Sequence, residues 1–402
     1  MIEGVRRIAV FRALQLGDLL VAVPALRALR AGYPDAEITF IGLPWAASFA
    51  AHLNCYVDRF LPFPGYPGIA EAPYDEDRTA AFLAEARAHG YDLVVQMHGS
   101  GGQSNPFALA LGARATAGYY EEEPPPGLTV AAPYPHDQPE ALRNLGLVAL
   151  LGCPDSDPAL EFPLSDTDHA EAAALLAPPT EGGRLLVGIH PGARPPARRW
   201  PAACFAAVAD ALARRHGAAI VLTGGPGDEE TVATVARTMA IPALNVAGRT
   251  SLGGLAALIA RMNLFIGNDS GPAHLAEAVG APSVRIFGPA DPLRWAPLDR
   301  TRHAVVRRPV PCSPCPYWEC PIDHPCLRLI EPRDVLRAAE SVLATSAGSM
   351  SGQDIGVVSV GISPVTETMR TGEQRGRVTM PLGKTYVEES QQIYAREDLC
   401  DA

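Results

Sequence analysis

An α/β chain of two doubly wound, parallel-sheet halves in tandem, with a C-terminal tail, is the fold class this sequence predicts. Three observations carry it. Strand-length apolar runs alternate with helix-length amphipathic runs, the pattern of a parallel sheet covered on both faces. The alternation occurs in two series, separated by a Pro-rich stretch. Polar, glycine-bearing turns follow the strands, where open α/β sheets hold their ligands. The expected boundaries are 1–165 for the first half, 166–345 for the second and 346–402 for the tail.

In chain order, RRIAVFRA (6–13) reads as a buried strand. A Gly-Asp turn and the apolar-periodic LLVAVPALRALRAGYP follow, a helix kinked or restarted at Pro24. EITFIGLP and VDRFLPFP read as strands, RTAAFLAEARAHG as a helix, YDLVVQMHG as a strand, and FALALGA with its neighbours as one more strand-helix unit. Between about 119 and 184 the alternation weakens: EEEPPPG, the helix-like PEALRNLGLVALLG, CPDSDPALEFP and the helix-like DHAEAAALL read as the junction. The second series runs through the strand RLLVGI, the helix CFAAVADALARRHG, the strand AAIVLTGG, NLFIGNDSG, a helix, and PSVRIFGP, and ends in the helix EPRDVLRAAESVLA (331–344). Beyond it, Ser, Gly and Thr dominate without periodicity, and the segment reads as a weakly ordered tail.

Composition narrows the function. The 402 residues suffice for two domains, and 33 Lys plus Arg against 44 Asp plus Glu give a net charge of −11. That balance argues against a nucleic-acid partner or a general anionic-membrane surface. The N-terminal MIEGVRRIAVFRALQLGDLL is too short and too interrupted for a signal peptide or a membrane span, so a soluble, cytoplasmic protein is expected. Eight cysteines in so long a chain do not make a disulfide scaffold.

The second half carries the densest motif. GNDSGPAHLAEAVGAP (267–282) leaves a strand and opens a helix, so Gly271 permits close backbone approach and the amides of Ser270 to Ala273 point at an anion. Asp269, Ser270 and His274 stand beside them; an ordinary helix cap and a polar gap-filler use the same residue types. HPGARPPARRWP (190–201) follows another strand and gathers Arg194, Arg198 and Arg199 on a loop stiffened by prolines, suited to phosphate. LTGGPGDEE (222–230) is a third strand end: Gly224, Gly225 and Gly227 make room, and Asp228, Glu229 or Glu230 can accept ribose hydroxyls. It does not match G-x-G-x-x-G, and turns need glycine in any case.

In the first half, ALQLGDLL puts Asp18 after the opening strand, as a carboxylate able to take a proton from an attacking hydroxyl or as a helix cap. MHGSGGQSN (97–105), with His98, is a flexible polar strand end suited to an acceptor. CSPCPYWECPIDHPC spaces Cys312, Cys315, Cys320 and Cys326 as C-x2-C-x4-C-x5-C, a set able to close a structural zinc or iron site or to remain as thiols. The D-x-D strings at 155–157 and 166–168 follow no strand and are not expected to hold a cation.

Taken together, RALQLGDLLVAVPALRAL, HPGARPPARRWP, LTGGPGDEE and the pair NDSGPAHLAEAVGAP and RIFGPADP resemble glycosyltransferase family nine, the lipopolysaccharide heptosyltransferases and their relatives, over roughly residues 6–345. The Cys segment resembles a loop that some relatives carry. The resemblance implies a GT-B fold, two Rossmann-like domains facing across a cleft, with an acceptor side first and a nucleotide-sugar side second, inverting chemistry and no catalytic metal. It implies ADP-heptose as the default donor and a glycan or lipid-linked acceptor, hence peripheral contact with the inner membrane. The family's base falls on Asp18, its Asp-Thr/Ser-Gly segment on Asp269, Ser270 and Gly271, and its histidine on His274. The lysine of its K-x-W element is Arg198 here, ahead of Arg199 and Trp200, which keeps the charge and changes the geometry. A nicotinamide oxidoreductase is disfavoured by the missing G-x-G-x-x-G, and a non-catalytic sugar-nucleotide binder by the presence of Asp18.

Overall fold

The computed structural model describes residues 1–154, 157–176, 184–346, 348 and 358–359. The first sheet is parallel and comprises β1 (Arg7–Phe11), β2 (Glu37–Gly42), β3 (Arg59–Pro62), β4 (Leu93–Gln96), β5 (Ala115–Tyr120) and β6 (Val130–Pro133), in the order β3-β2-β1-β4-β5-β6. The second, also parallel, comprises β7 (Leu186–His190), β8 (Ala219–Leu222), β9 (Leu244–Asn245), β10 (Leu264–Asn268), β11 (Ser283–Phe287), β12 (His303–Arg307) and β13 (Val358–Ser359), in the order β13-β12-β11-β10-β7-β8-β9. Both orders reverse direction at one central pair, β1 with β4 and β7 with β10. Ile8, Ala9, Val10 and Phe11 of β1 are all fully buried, which is why the strand reads as a continuous apolar run and not as an alternation.

Local rules fix the helix ends that matter for the cleft. A short helix, Leu16–Leu20, follows β1, and a second, Val23–Gly32, restarts with Pro24 in its first turn, where the missing N–H is harmless. The helix Gly271–Ala278 likewise begins Gly-Pro after β10.

The junction read at 119–184 needs correction, because β6 lies within it. β6 is only four residues long, half exposed at the sheet edge and ended by Pro133, so it lacks the apolar run that marks a central strand. The helices Glu140–Ala149 and Asp166–Leu176 form where expected, and the latter packs on Leu252–Ala260 of the second half. Of the segment read as a tail, Val358–Ser359 pairs with β12, and the remainder beyond Gly348 lies outside the described residues, as do Asp155 and Ser156 of the first D-x-D string.

One apolar core runs through both halves, joining Leu19, Phe49 and Leu53 to Ala172, Leu255, Leu258 and Ala273. Beside it, His52 Nε2 of the first half meets Asp168 Oδ2 of the second at 3.1 Å, an approach allowed because Gly253 has no Cβ to overlap them. Burial pushes the Asp168 carboxyl upward, but the hydroxyl and backbone N–H of Ser165 at 2.7 and 2.8 Å, together with His52, bring it below its usual 3.8. A carboxylate whose folded pKa is depressed stabilises the protein above its unfolded pKa and loses that contribution as the pH falls through the folded one. Asp168→Asn should therefore cost roughly 1.5–3 kcal/mol at pH 7, the range for hydrogen bonds to a charged group. In thermal unfolding the gap from the parent protein should close as the pH falls below 3.8.

Candidate active site

The carboxyl ends of the central strands of both sheets open onto one cleft of about 450 Å³. The first half supplies Gln15, Gly17 and Asp18 after β1, Glu71 after β3, and His98 after β4. The second supplies Arg194 and Arg198 after β7, Asp269, Ser270, Gly271 and His274 after β10, Arg294 and Trp295 after β11, and Cys315 to Trp318 after β12.

The walls are held together where two helix starts lack side chains. A Cβ on Gly17 would lie 2.9 Å from the His274 ring and 3.6 Å from Gly271 Cα, and one on Gly271 would lie 2.9 Å from Leu16 Cβ. Neither glycine adopts a positive φ, so what the positions require is closeness.

Asp18 is the third residue of its short helix, and its Oδ2 accepts the Gln15 backbone N–H at 3.3 Å. The capping reading and the cleft reading therefore hold at once. Its side chain is 24% exposed, with Oδ1 at 3.9 Å from Arg12 Nη2. Burial raises the carboxyl above its usual 3.8; Arg12 opposes this, Glu140 reinforces it, and Arg294 and Arg198 temper it. A carboxylate poised upward yet reachable from solvent suits a proton acceptor.

Opposite, Arg198 Nη1 lies 3.3 Å from Asp269 Oδ2, with the arginine side chain 31% exposed and the aspartate 2%. Burial raises Asp269, Arg198 and Arg285 restrain it, and among the described residues Oδ1 has no hydrogen-bond partner. Arg285, fully buried, bonds Ala273 O, Trp295 O and Glu277 Oε2 at 2.9, 2.9 and 3.0 Å and lies 3.3 Å from His274 Nδ1. A guanidinium only donates, so Nδ1 accepts and the neutral imidazole carries its proton on Nε2. Burial, with Arg285 and Arg198 adding to it, holds His274 well below its usual 6.5. Arg198, the Ser270 hydroxyl and the start of the helix Gly271–Ala278 thus form a cradle for an anion.

Not every expected residue reaches the cleft. Arg199 donates from Nε to Ala193 O at 2.7 Å and braces the loop. Trp200 is buried, its N–H on Asn268 Oδ1 at 3.0 Å and its indole on Ile330 O at 3.1 Å. Gly224, Gly225 and Glu229 stand apart from the cleft walls: Asp228 Oδ2 accepts the Gly225 N–H and Glu229 Oε2 the Gly227 N–H, so the carboxylates close their own turn. Asp166 and Asp168 begin a helix. Of the two readings left open for Cys312, Cys315, Cys320 and Cys326, a closed metal site or free thiols, the structure has free thiols: among the described residues, no three His, Cys, Asp or Glu side chains are arranged to hold an ion. The thiols lie near one another but differ in their contacts. Cys326 is buried in the second-half core, Cys320 Sγ accepts the His324 N–H at 3.1 Å, and Cys315 lies in the cleft wall with its N–H on Pro289 O at 2.9 Å. Burial pushes the Cys326 thiol up to about 11, and its neighbouring thiols add to the rise. The loop's clear structural work is the bond from Ala197 N–H to Trp318 O at 3.0 Å, which fastens it to the Arg198 loop.

Several site residues escape the sequence reading. Arg294 lies just past RIFGPADP, and Glu140 opens a helix assigned to the junction. Glu71 falls in an irregular connection, where it pairs with His98 Nε2 at 3.6 Å while His98 Nδ1 accepts the Ala13 N–H at 3.2 Å. Arg12 alone left a signal, as a basic residue directly after the apolar run IAVF.

Residues 80–325, more than half of the chain, match the family described as glycosyltransferase family 9 (heptosyltransferase). The chain is 30% identical over 41% of its length to lipooligosaccharide heptosyltransferase 2 of Campylobacter jejuni, and the match spans 53%, about half, of that relative. Against lipopolysaccharide heptosyltransferase 3 of Escherichia coli it is 28% identical over 70% of this chain and 83% of the relative. The fold is similar to the crystal structure of the glycosyl transferase family 9 from Veillonella parvula, with a TM-score of 0.73 and 26% identity, covering 85% of this chain and 98% of that one.

The His274 assignment is open to direct measurement. In nitrogen NMR its ring should keep the signature of the neutral Nε2–H tautomer as the pH falls through 6.5, where an ordinary histidine is half protonated. A normal titration would contradict the arrangement around Arg285.

Proposed function

The chain belongs to glycosyltransferase family 9, and from that premise we propose that it is an inverting, metal-independent heptosyltransferase acting on the lipopolysaccharide core. The observation that carries the reading is one cleft holding Asp18 of the first half together with Arg198, Ser270 and Gly271 of the second. An acceptor hydroxyl gives its proton to Asp18 as its oxygen attacks the anomeric carbon of the sugar. The bond from that carbon to the diphosphate oxygen breaks on the opposite side, so configuration inverts. Negative charge accumulates on the departing diphosphate, where Arg198, the Ser270 hydroxyl and the helix amides receive it. Fixed dipoles and a guanidinium act strongly in a site shielded from water, so the cradle can do the work a divalent cation does elsewhere. The upward shift of Asp18 and its partial exposure support its role as base.

The family makes ADP-heptose the default donor. The names of the relatives point to a lipopolysaccharide or lipooligosaccharide acceptor. Such a lipid-linked acceptor calls for peripheral contact with the cytoplasmic face of the inner membrane; among the described residues, no helix is long and apolar enough to cross one. Another nucleotide sugar or a protein acceptor is the alternative that a donor and acceptor screen would reveal.

Two substitutions separate the roles. With ADP-heptose as donor and heptose-free lipopolysaccharide as acceptor, Asp18→Asn should lower kcat by about 10²- to 10⁴-fold while calorimetry finds ADP binding nearly unchanged. Arg198→Gln should weaken ADP binding about tenfold to a hundredfold, the loss of one hydrogen bond to a charged group. Transfer that survived Asp18→Asn would require a different base.

A further inference from the structure

We propose that Glu140 is a positioning residue for the transfer step: it draws arginines from both halves onto its own carboxylate and so keeps Asp18 free to face the cradle. The proposal rests on Asp18 being the base. Glu140 opens the helix Glu140–Ala149 and its side chain is 4% exposed. Arg12 Nη2, from the end of β1, lies at 3.6 Å, and Arg143, one turn along the same helix, bonds Oε1. Arg294, from the second half, donates from Nε to Oε1 at 2.6 Å and reaches the Tyr134 hydroxyl at 3.2 Å. The one carboxylate therefore ties together β1, its own helix and the opposite half of the molecule.

The same arginines surround Asp18. Arg12 Nη2 is 3.9 Å from Asp18 Oδ1, and a small recess running from Asp18 to Glu140 is lined by Arg12, Arg143, Arg294 and Tyr134. The charged groups facing Asp18 are Arg12, Glu140, Arg294 and Arg198, with neutral His274 across Gly17. A guanidinium can grip a carboxylate with two parallel bonds, which would occupy both oxygens that a base needs. Glu140 offers Arg12 and Arg294 a buried partner instead. Its own acidity fits: burial pushes it up, yet Arg12, Arg294 and Arg143 together hold it below the usual 4.5, so it stays ionised.

The test follows Asp18 by carbon NMR of the full chain labelled at aspartate Cγ, with its signal assigned by its loss in Asp18→Asn. In Glu140→Gln the Asp18 titration should move down by about one pH unit, since a repelling charge is gone and Arg294 is released toward it, while Arg12 stays held by the Asp18 and Met97 carbonyls. In Arg294→Gln it should move up, since an attracting charge is gone and Glu140 remains. Turnover of ADP-heptose onto heptose-free lipopolysaccharide should lose at least about tenfold in kcat in Glu140→Gln, with little change in the donor KM. A residue acting only through packing would lower kcat and leave the Asp18 titration unmoved. Unmoved titrations, or shifts of the same sign in both variants, overturn the proposal. If Glu140→Gln does not fold, an unmoved Asp18 signal in the more exposed Arg294→Gln overturns it alone. Transfer retained by Asp18→Asn would defeat the base assignment separately, while the titrations still report on Glu140.

Discussion

The geometry of the cleft depends on one steric constraint, the meeting of Gly17 and Gly271 at the starts of two helices. Each belongs to a different half, and a side chain on either would push the halves apart. Because both helices begin just after a central strand, that contact sets the distance between the turn bearing Asp18 and the turn bearing Ser270. It also presses the His274 ring against the first half, so the ring is buried, and burial is the first cause of its neutrality. A close backbone approach thereby fixes a protonation state as well as a shape.

Around that contact, buried charges are matched with opposite ones. The buried Arg285 is met by Glu277, Arg198 by Asp269, and Arg12 and Arg294 by Glu140. Pairs at this depth add little net stability, since desolvation offsets their attraction, but removing one partner is costly. What they supply is placement: two carboxylates, Asp18 and Asp269, kept above the ordinary range, among arginines that are already engaged.

Much of this was legible in the sequence, for a physical reason. Residues after a strand in a doubly wound sheet are committed to one edge, so reading β1, β7 and β10 was enough to bring Asp18, Arg194, Arg198, Asp269, Ser270, Gly271 and His274 to one cleft. Pairing across the halves was not legible. Glu140 sits in a helix whose periodicity reveals only its apolar face, and its partner Arg294 lies 154 residues away. The turn at Gly224, Gly225 and Glu229 was legible only as ligand-ready chemistry, because carboxylates that can take a hydroxyl also satisfy backbone amides, and in this turn they do so. The four cysteines were legible only as a choice between a metal site and thiols, since spacing limits where thiols can go without saying what each one packs against. β6 went unread because an edge strand needs only half an apolar pattern.

The matching strand orders of the two sheets have a consequence for how such a molecule diversifies. Each sheet presents its reversal point to the shared space, and in the proposed transfer each contributes its loops to one ligand only. Loops after β3 and β4 can be rewritten to recognise a new hydroxyl-bearing partner while the loops proposed to hold the diphosphate stay as they are, and the converse also holds. The patch where the glycines touch, Asp18 beside it and the Glu140–Arg294 pair that spans the halves must be inherited together, which leaves the outer loops as an interchangeable pair of modules.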